Sequence, residues 1–284
     1  MVSPEGEDSP SGIGVFLIWQ QPHPIYFAEL LYRAEPSRRV LDAHREVVFE
    51  SARFMASYPA WDAKSKRFVL GPPLIPAQES HPPATTFNST FELAYWTFGL
   101  ETAQRWRQRL GLRRDSGWDR VLRSLSKMPM RDGLYVNAES APHTFADREQ
   151  RRDHPTLLGA YGFVPSTQVD RAAMRRTLRR VFETWQWDET WGWDYPLVAM
   201  TAARVGEPEL AIDALMMQTP KNRYHPNGHN YQRPGLTIYL PGNGGLLAAT
   251  AMMAAGWDGA PRRPAPGFPR AGWRVQSERL RGLP

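Results

Sequence analysis

The amino-acid sequence predicts a mostly helical protein, and three observations carry that expectation. Apolar residues recur three and four apart over long stretches. Serine, proline and glycine punctuate the ends of those stretches. The connections between them are alternately short and long, and the long ones are rich in Trp, His, Asn and Gln. Helical hairpins arranged as a barrel put their short links on one face and their long links on the other, so the polar and aromatic loop residues are expected to meet on one face.

Residues 24 to 34 and 37 to 58 read as the first hairpin. Val40, Ala43, Val47, Val48, Ala52 and Met55 fall at helical spacing; Pro36 and Ser37 separate the two helices, and Pro59 closes the second. Lys66 to Leu70 reads as a short strand. It leads into Gly71-Pro72-Pro73-Leu74-Ile75-Pro76, where four breakers in six residues predict a structured loop. Asn88, Ser89 and Thr90 are expected to cap a long helix through Leu110, apolar at Phe91, Leu93, Ala94, Trp96, Phe98, Leu100, Ala103 and Trp106. A shorter helix is expected over 116 to 127. After a turn at Asp132-Gly133 and a strand at 134 to 136, residues 138 to 153 are polar and loop-like. Helices resume at 155 to 163, 170 to 185, 193 to 205, 208 to 217 and 245 to 255. The last two are separated by a Pro-, Asn- and Gly-rich stretch at 219 to 243.

At 284 residues, 42% hydrophobic and 12% aromatic, the chain has ample material for a packed core. No run approaches the roughly 18 apolar residues that would cross a membrane, so no membrane partner is expected. The opening Met1 to Asp8 is polar and acidic and does not read as a secretory signal. The absence of cysteine excludes disulfides, thiolate metal sites and a cysteine nucleophile. Neither a Gly-x-Ser-x-Gly elbow nor a phosphate-cradling glycine loop occurs, nor an aspartate-rich calcium loop, and no metal or other cofactor is expected. A formal charge of +6 with a pI near 9.7 raises the question of nucleic acid. The arginines, however, fall at the spacing of solvated helix faces (Arg105, Arg107, Arg109; Arg171, Arg175, Arg176) or in the tail, and no nucleic-acid partner is expected.

Sugars are bound by aromatic faces and by planar amides, and several loops carry both. Trp19, Gln20, Gln21 and His23 sit immediately before a helix; they suit a sugar subsite, or a core tryptophan with capping amides. Gln78 and Glu79 follow the proline-rich loop, and Glu79 is the carboxylate this loop would present to a cleft, although a loop glutamate on its own is more often a solvated charge. Trp185, Trp187, Trp191 and Trp193, four of eleven tryptophans, crowd the segment before the helix at 193. They serve either as inner-wall packing or as a sugar platform. Asp194 reads as a base or as a partner of the helix N-terminus, and His154 as a capping residue or a substrate contact. His229, Asn230 and Gln232, and Asn243 within Leu240-Pro241-Gly242-Asn243-Gly244-Gly245, lie in glycine-punctuated loops of the kind that line pockets.

Several of these segments resemble the helical catalytic domain of the inverting glycoside hydrolase families 65 and 95, and most closely the six-hairpin proteins related to them. The similarity runs from about Asp8 to Gly259. Gly71 to Glu79 followed by Asn88 resembles the loop that presents the general-acid glutamate, which implies that role for Glu79 and a subsite role for Asn88. Ile238 to Gly245 resembles the Gly-Asn loop of the last inner helix, but Pro241 stands where the fucosidase branch carries its functional Asp. An inverting reaction needs a second carboxylate to activate water. Asp194 and Asp153 are the remaining loop carboxylates, and a phosphorylase would use phosphate instead.

The resemblance implies an incomplete (α/α)6 six-hairpin toroid over residues 1 to 259, followed by a Pro- and Arg-rich tail at 260 to 284. Family members begin with a β-sandwich and further hairpins, so this chain is expected to be a truncated copy or an internal start that lacks the N-terminal part of its domain, and longer relatives are expected to be exported. Open hairpins would leave apolar inner faces exposed and favour self-association. The expected function is an inverting glycoside hydrolase acting on an oligosaccharide or polysaccharide; the alternative is a noncatalytic carbohydrate binder or an inactive fragment.

Overall fold

The computed structural model describes Gly6 and residues 13 to 284. The protein is mostly helical, with nine α-helices and three two-stranded sheets among the described residues. None of these helices is long and apolar enough to cross a membrane. The chain divides into two compact units. Unit 1 runs to Met130 and includes Val136–Pro142; unit 2 comprises Arg131–Tyr135 and His143–Pro284.

Unit 1 is built on α1 (His23–Ala34), α2 (Arg38–Ser57), α3 (Thr90–Arg109) and α4 (Ser116–Ser124). Ser37 opens α2 as the spacing predicts, its hydroxyl accepting from the Val40 amide. The core-facing stripe of α2 is Val40, Leu41, Val48, Ala52 and Met55. Of the residues read as one face, Ala43 and Val47 are instead exposed. Helix α3 is buried on nearly every side, which is why its pattern reads as a run of apolar residues more than a stripe. Its start differs from the expected cap. Ser89 makes no side-chain cap bond, and the Thr90 amide donates instead to the Asn137 carbonyl. The predicted strand at 66 to 70 is β2 (Arg67–Val69), and it pairs antiparallel with β1 (Ala60–Asp62), which the sequence does not announce. Helix α4 ends at Ser124, three residues before the expected end, because Ser126 turns to bond the Phe68 carbonyl.

The hairpin strands β3 (Met130–Arg131) and β4 (Leu134–Tyr135) follow, with Asp132 and Gly133 at the turn, both at positive φ. Unit 2 then places α5 (Gly159–Gly162), α6 (Arg171–Thr184), α8 (Pro208–Leu215) and α9 (Leu240–Ala255) against α7 (Asp194–Val205). Every residue of α7 is buried. The expected helix at 155 to 163 is a 3-10 turn (Thr156–Leu158) running into the single turn of α5. The polar stretch at 219 to 243 contains a 3-10 turn (Pro220–Asn222) and a small hairpin, β5 (Arg223–Tyr224) with β6 (Asn230–Tyr231). Helix α9 begins five residues earlier than expected, at Leu240, because Pro241 is accommodated in its first turn. Residues 260 to 284 pack on unit 2: Leu283 donates to Gly256, Gly267 to Met253, and the buried Arg204 guanidinium to the Pro284 carbonyl at 2.6 Å.

Candidate functional site

The residues singled out from sequence fall into both units, and each group is built differently. In unit 1, Trp19 and Gln20 lie in a 3-10 turn (Ile18–Gln20) just before α1. Trp19 meets His23 edge-on at 5.3 Å, and its indole N–H is buried with no acceptor. His23 shares a 2.7 Å hydrogen bond with the Tyr95 hydroxyl, and burial lowers its pKa. Gln20 is half-buried and Gln21 exposed.

Asn88 is spent entirely on the fold. It sits at φ 51°, its Oδ1 accepts from the Leu70 amide at 3.0 Å, and its Nδ2 donates to Ser126 at 3.1 Å and Glu139 at 2.8 Å. Gln78 is fully buried with its Oε1 3.1 Å from His81 Nε2. Glu79, by contrast, is exposed at the end of that loop.

The loop is anchored by a residue the sequence reading passed over. Glu92, in the first turn of α3, is fully buried and accepts from the Ala77 amide at 2.7 Å. Burial pushes its carboxyl up, outweighing the Ala77 amide that pulls it down. The available signal was a lone acid among Phe91, Leu93, Ala94 and Tyr95, where a solvated face is impossible.

In unit 2 the segment before α7 resolves the tryptophan cluster into two pairs. The indole N–H of Trp185 donates to the Asp153 carbonyl at 2.8 Å and that of Trp187 to the Phe182 carbonyl at 3.1 Å, so this pair braces the fold. Trp191 and Trp193 remain half-exposed and belong to a row of rings. Tyr239 lies 5.4 Å from Trp191, Trp191 6.0 Å from His154, His154 4.2 Å from Trp193, and Trp193 6.0 Å from Phe163. All four ring pairs are inclined by 29 to 39°, so their faces are roughly aligned, unlike the edge-on pair of Trp19 and His23.

The row is fixed from behind. Asp194, fully buried, takes His154 Nδ1 on one oxygen and the Trp191 amide on the other, each at 2.8 Å. Burial pushes the Asp194 carboxyl up, against the downward pull of His154. On its other side, His154 Nε2 lies 3.5 Å from an Asp153 carboxylate oxygen. Gln232 takes the Gly192 amide on its Oε1 and donates to the Thr190 carbonyl, both at 3.0 Å.

Asn230 is fully buried and donates to the Lys221 and Arg223 carbonyls, while its own amide donates to Asn243 Oδ1 at 3.0 Å. Asn243 in turn donates to the Gly228 carbonyl at 2.7 Å. These three amides, expected to meet a sugar, therefore hold the loops that present Trp191 and Trp193. His229 closes the β5–β6 turn with His225, and among the described residues no group of three ligand-type side chains is placed to hold a metal ion. An open hollow of about 490 Å³ beside this hairpin is lined by His225, Pro226, Asn227, Thr237 and Ile238 and takes in none of the residues singled out from sequence.

No family model and no curated protein matches this chain.

Proposed function

We propose that this chain is a carbohydrate-active protein of the six-hairpin glycosidase type that acts as an inverting glycoside hydrolase on an oligosaccharide or polysaccharide. The observation that supports this best is the row Tyr239, Trp191, His154, Trp193 and Phe163, partly exposed at its four aromatic members and buried at His154, pinned by Asp194 and Gln232. Aromatic faces take the C–H patches of pyranose rings, and a wall ordered before binding avoids the entropic cost of ordering it afterwards. In this reading Glu79 keeps the general-acid role that the resemblance of its loop implies. Asp194 is a positioning residue that holds the His154 ring and the Trp191 amide.

A second reading, a carbohydrate binder without turnover, is favoured by one observation: both oxygens of Asp194 already accept from protein donors, so this carboxylate does not itself reach water. One pair of measurements separates the two. Tryptophan fluorescence titrated with neutral and acidic mono- and disaccharides should change with at least one sugar, and the change should vanish in Trp191→Ala. A flat response across the panel would remove the carbohydrate reading altogether. Where hydrolysis of the bound sugar is detected, Glu79→Gln should lower kcat by about 10²- to 10⁴-fold while leaving binding intact. Turnover that survives this change would leave Glu79 without the acid role.

A further inference from the structure

We propose that the Trp191 end of the aromatic row is a subsite for a sugar residue carrying an anionic group, a hexuronate being its simplest ligand, with Lys221 as the counter-charge. The inference rests on the carbohydrate reading and adds the chemical class of the ligand.

Lys221 Nζ stands 6.0 Å from the centre of the Trp191 ring. That separation is the outer limit of a cation–π contact, so the ring holds the ammonium loosely and leaves it able to pair elsewhere. Among the described residues no carboxylate lies within ion-pairing distance of Lys221, whereas Arg67 pairs with Glu139 and Arg109 with Glu29.

The lysine is not on a free loop. Its 3-10 turn is closed by the Thr219 hydroxyl accepting from the Asn222 amide, Thr219 bonds the Tyr195 hydroxyl at 2.5 Å, and the Lys221 carbonyl accepts from Asn230. Tyr195 and Asn230 are the same buried groups that brace the segment bearing Trp191, so the cation and the platform are held by one framework.

Charge is also distributed unevenly along the row. The Trp191 and Tyr239 end carries Lys221, whereas the Trp193 end carries His154 with Asp153 and Asp194 beside it. A neutral sugar gains nothing from that polarity. A hexuronate stacked on Trp191 would set its carboxylate at the ammonium.

The test is calorimetric binding of glucuronic and galacturonic acids against glucose and galactose, at low salt and at 0.5 M salt. The acid should bind about two- to fivefold more tightly than its neutral counterpart at low salt, as one partly exposed charge pair supplies, and lose that margin at high salt. Lys221→Met should erase the margin without altering the thermal midpoint, and Lys221→Arg should restore it. Equal affinity for acid and neutral sugars, with binding still dependent on Trp191, would overturn the Lys221 assignment and leave the carbohydrate reading standing. Retention of the acid preference in Lys221→Met would overturn the assignment in the same way. No binding by any of the four sugars would overturn both.

Discussion

Glu29 and Glu92 are both carboxylates without solvent exposure in unit 1, yet their surroundings act in opposite directions. Burial pushes Glu29 up, but Arg109 overcomes it with two hydrogen bonds at 2.6 and 3.0 Å and its charge, aided by Trp106 and Arg33, so Glu29 lies below the ordinary range. Glu92 has no cation, and burial leaves it above that range. The two therefore give opposite pH dependence. A depressed carboxyl stabilises the fold above its unfolded value, about 4.5, and loses that contribution as pH falls through the folded one. A raised carboxyl favours the fold below about 4.5 and loses its contribution as pH rises through the folded value. Glu29→Gln should cost roughly 3 kcal/mol at pH 7, where Arg109 is left without its charge partner, and the loss should shrink below pH 4. Glu92→Gln should gain on the parent protein as pH rises from about 4.5 through the raised value of Glu92. Urea denaturation of the three proteins at pH 3, 4, 6 and 8 checks both slopes; parallel pH profiles for Glu92→Gln and the parent would show that Glu92 is ionised at no cost.

At the scale of elements, the turn from Thr190 to Asp194 decides whether the aromatic row exists. A Cβ on Gly192 would overlap the Asn230 side-chain oxygen far inside any real contact distance, and a Cβ on Gly242 would strike the same atom. Asn230 is thus wedged between two backbones that only glycine allows so close. Gly192→Ala should destabilise unit 2 by about 1 to 3 kcal/mol and weaken saccharide binding with it. Gly228→Ala, which meets no neighbour but stands at φ 86°, should leave binding unchanged while costing some backbone strain. Loss of binding in both variants alike would detach binding from the Gly192 packing. Helix positions were legible in the sequence because apolar period and capping residues act locally, as Ser37 and Val40 do for α2. The roles of Asn88, Asn230, Gln232 and Asn243 were not. An amide meets a backbone peptide with the same geometry it offers a sugar, and the partner that decides, Gly192 for Gln232, is 40 positions away. The β5–β6 hairpin escaped notice for a related reason: two-residue strands are too short to show alternation.

The expectation that apolar helix faces would remain open bears on the molecule as a whole, and it can be examined in each unit separately. In unit 1, Phe27 and Leu31 stand one turn apart on α1 and are 56% and 49% exposed. In unit 2, Leu240 and Leu247 on α9 are 62% and 71% exposed, on a helix whose buried residues are only Gly242, Ala249, Met252 and Met253. Single exposed leucines are ordinary, whereas pairs at helical spacing on a helix this apolar make a continuous face. Exposed residues contribute little to the folded state, so replacing them by lysine should move stability by less than about 0.5 kcal/mol. The effect should appear in association instead, because the free energy of covering such a face grows with the apolar area removed from water and with added salt, which screens the protein's +6 charge. Sedimentation of the parent should show mass rising with concentration, more steeply at 0.5 M than at 0.05 M salt. Leu240→Lys with Leu247→Lys should flatten that rise if α9 is the face that associates, and Phe27→Lys with Leu31→Lys should do so if it is α1. A parent that sediments as a single monomer at every concentration and salt would show that neither face is large enough to overcome the repulsion between like-charged copies.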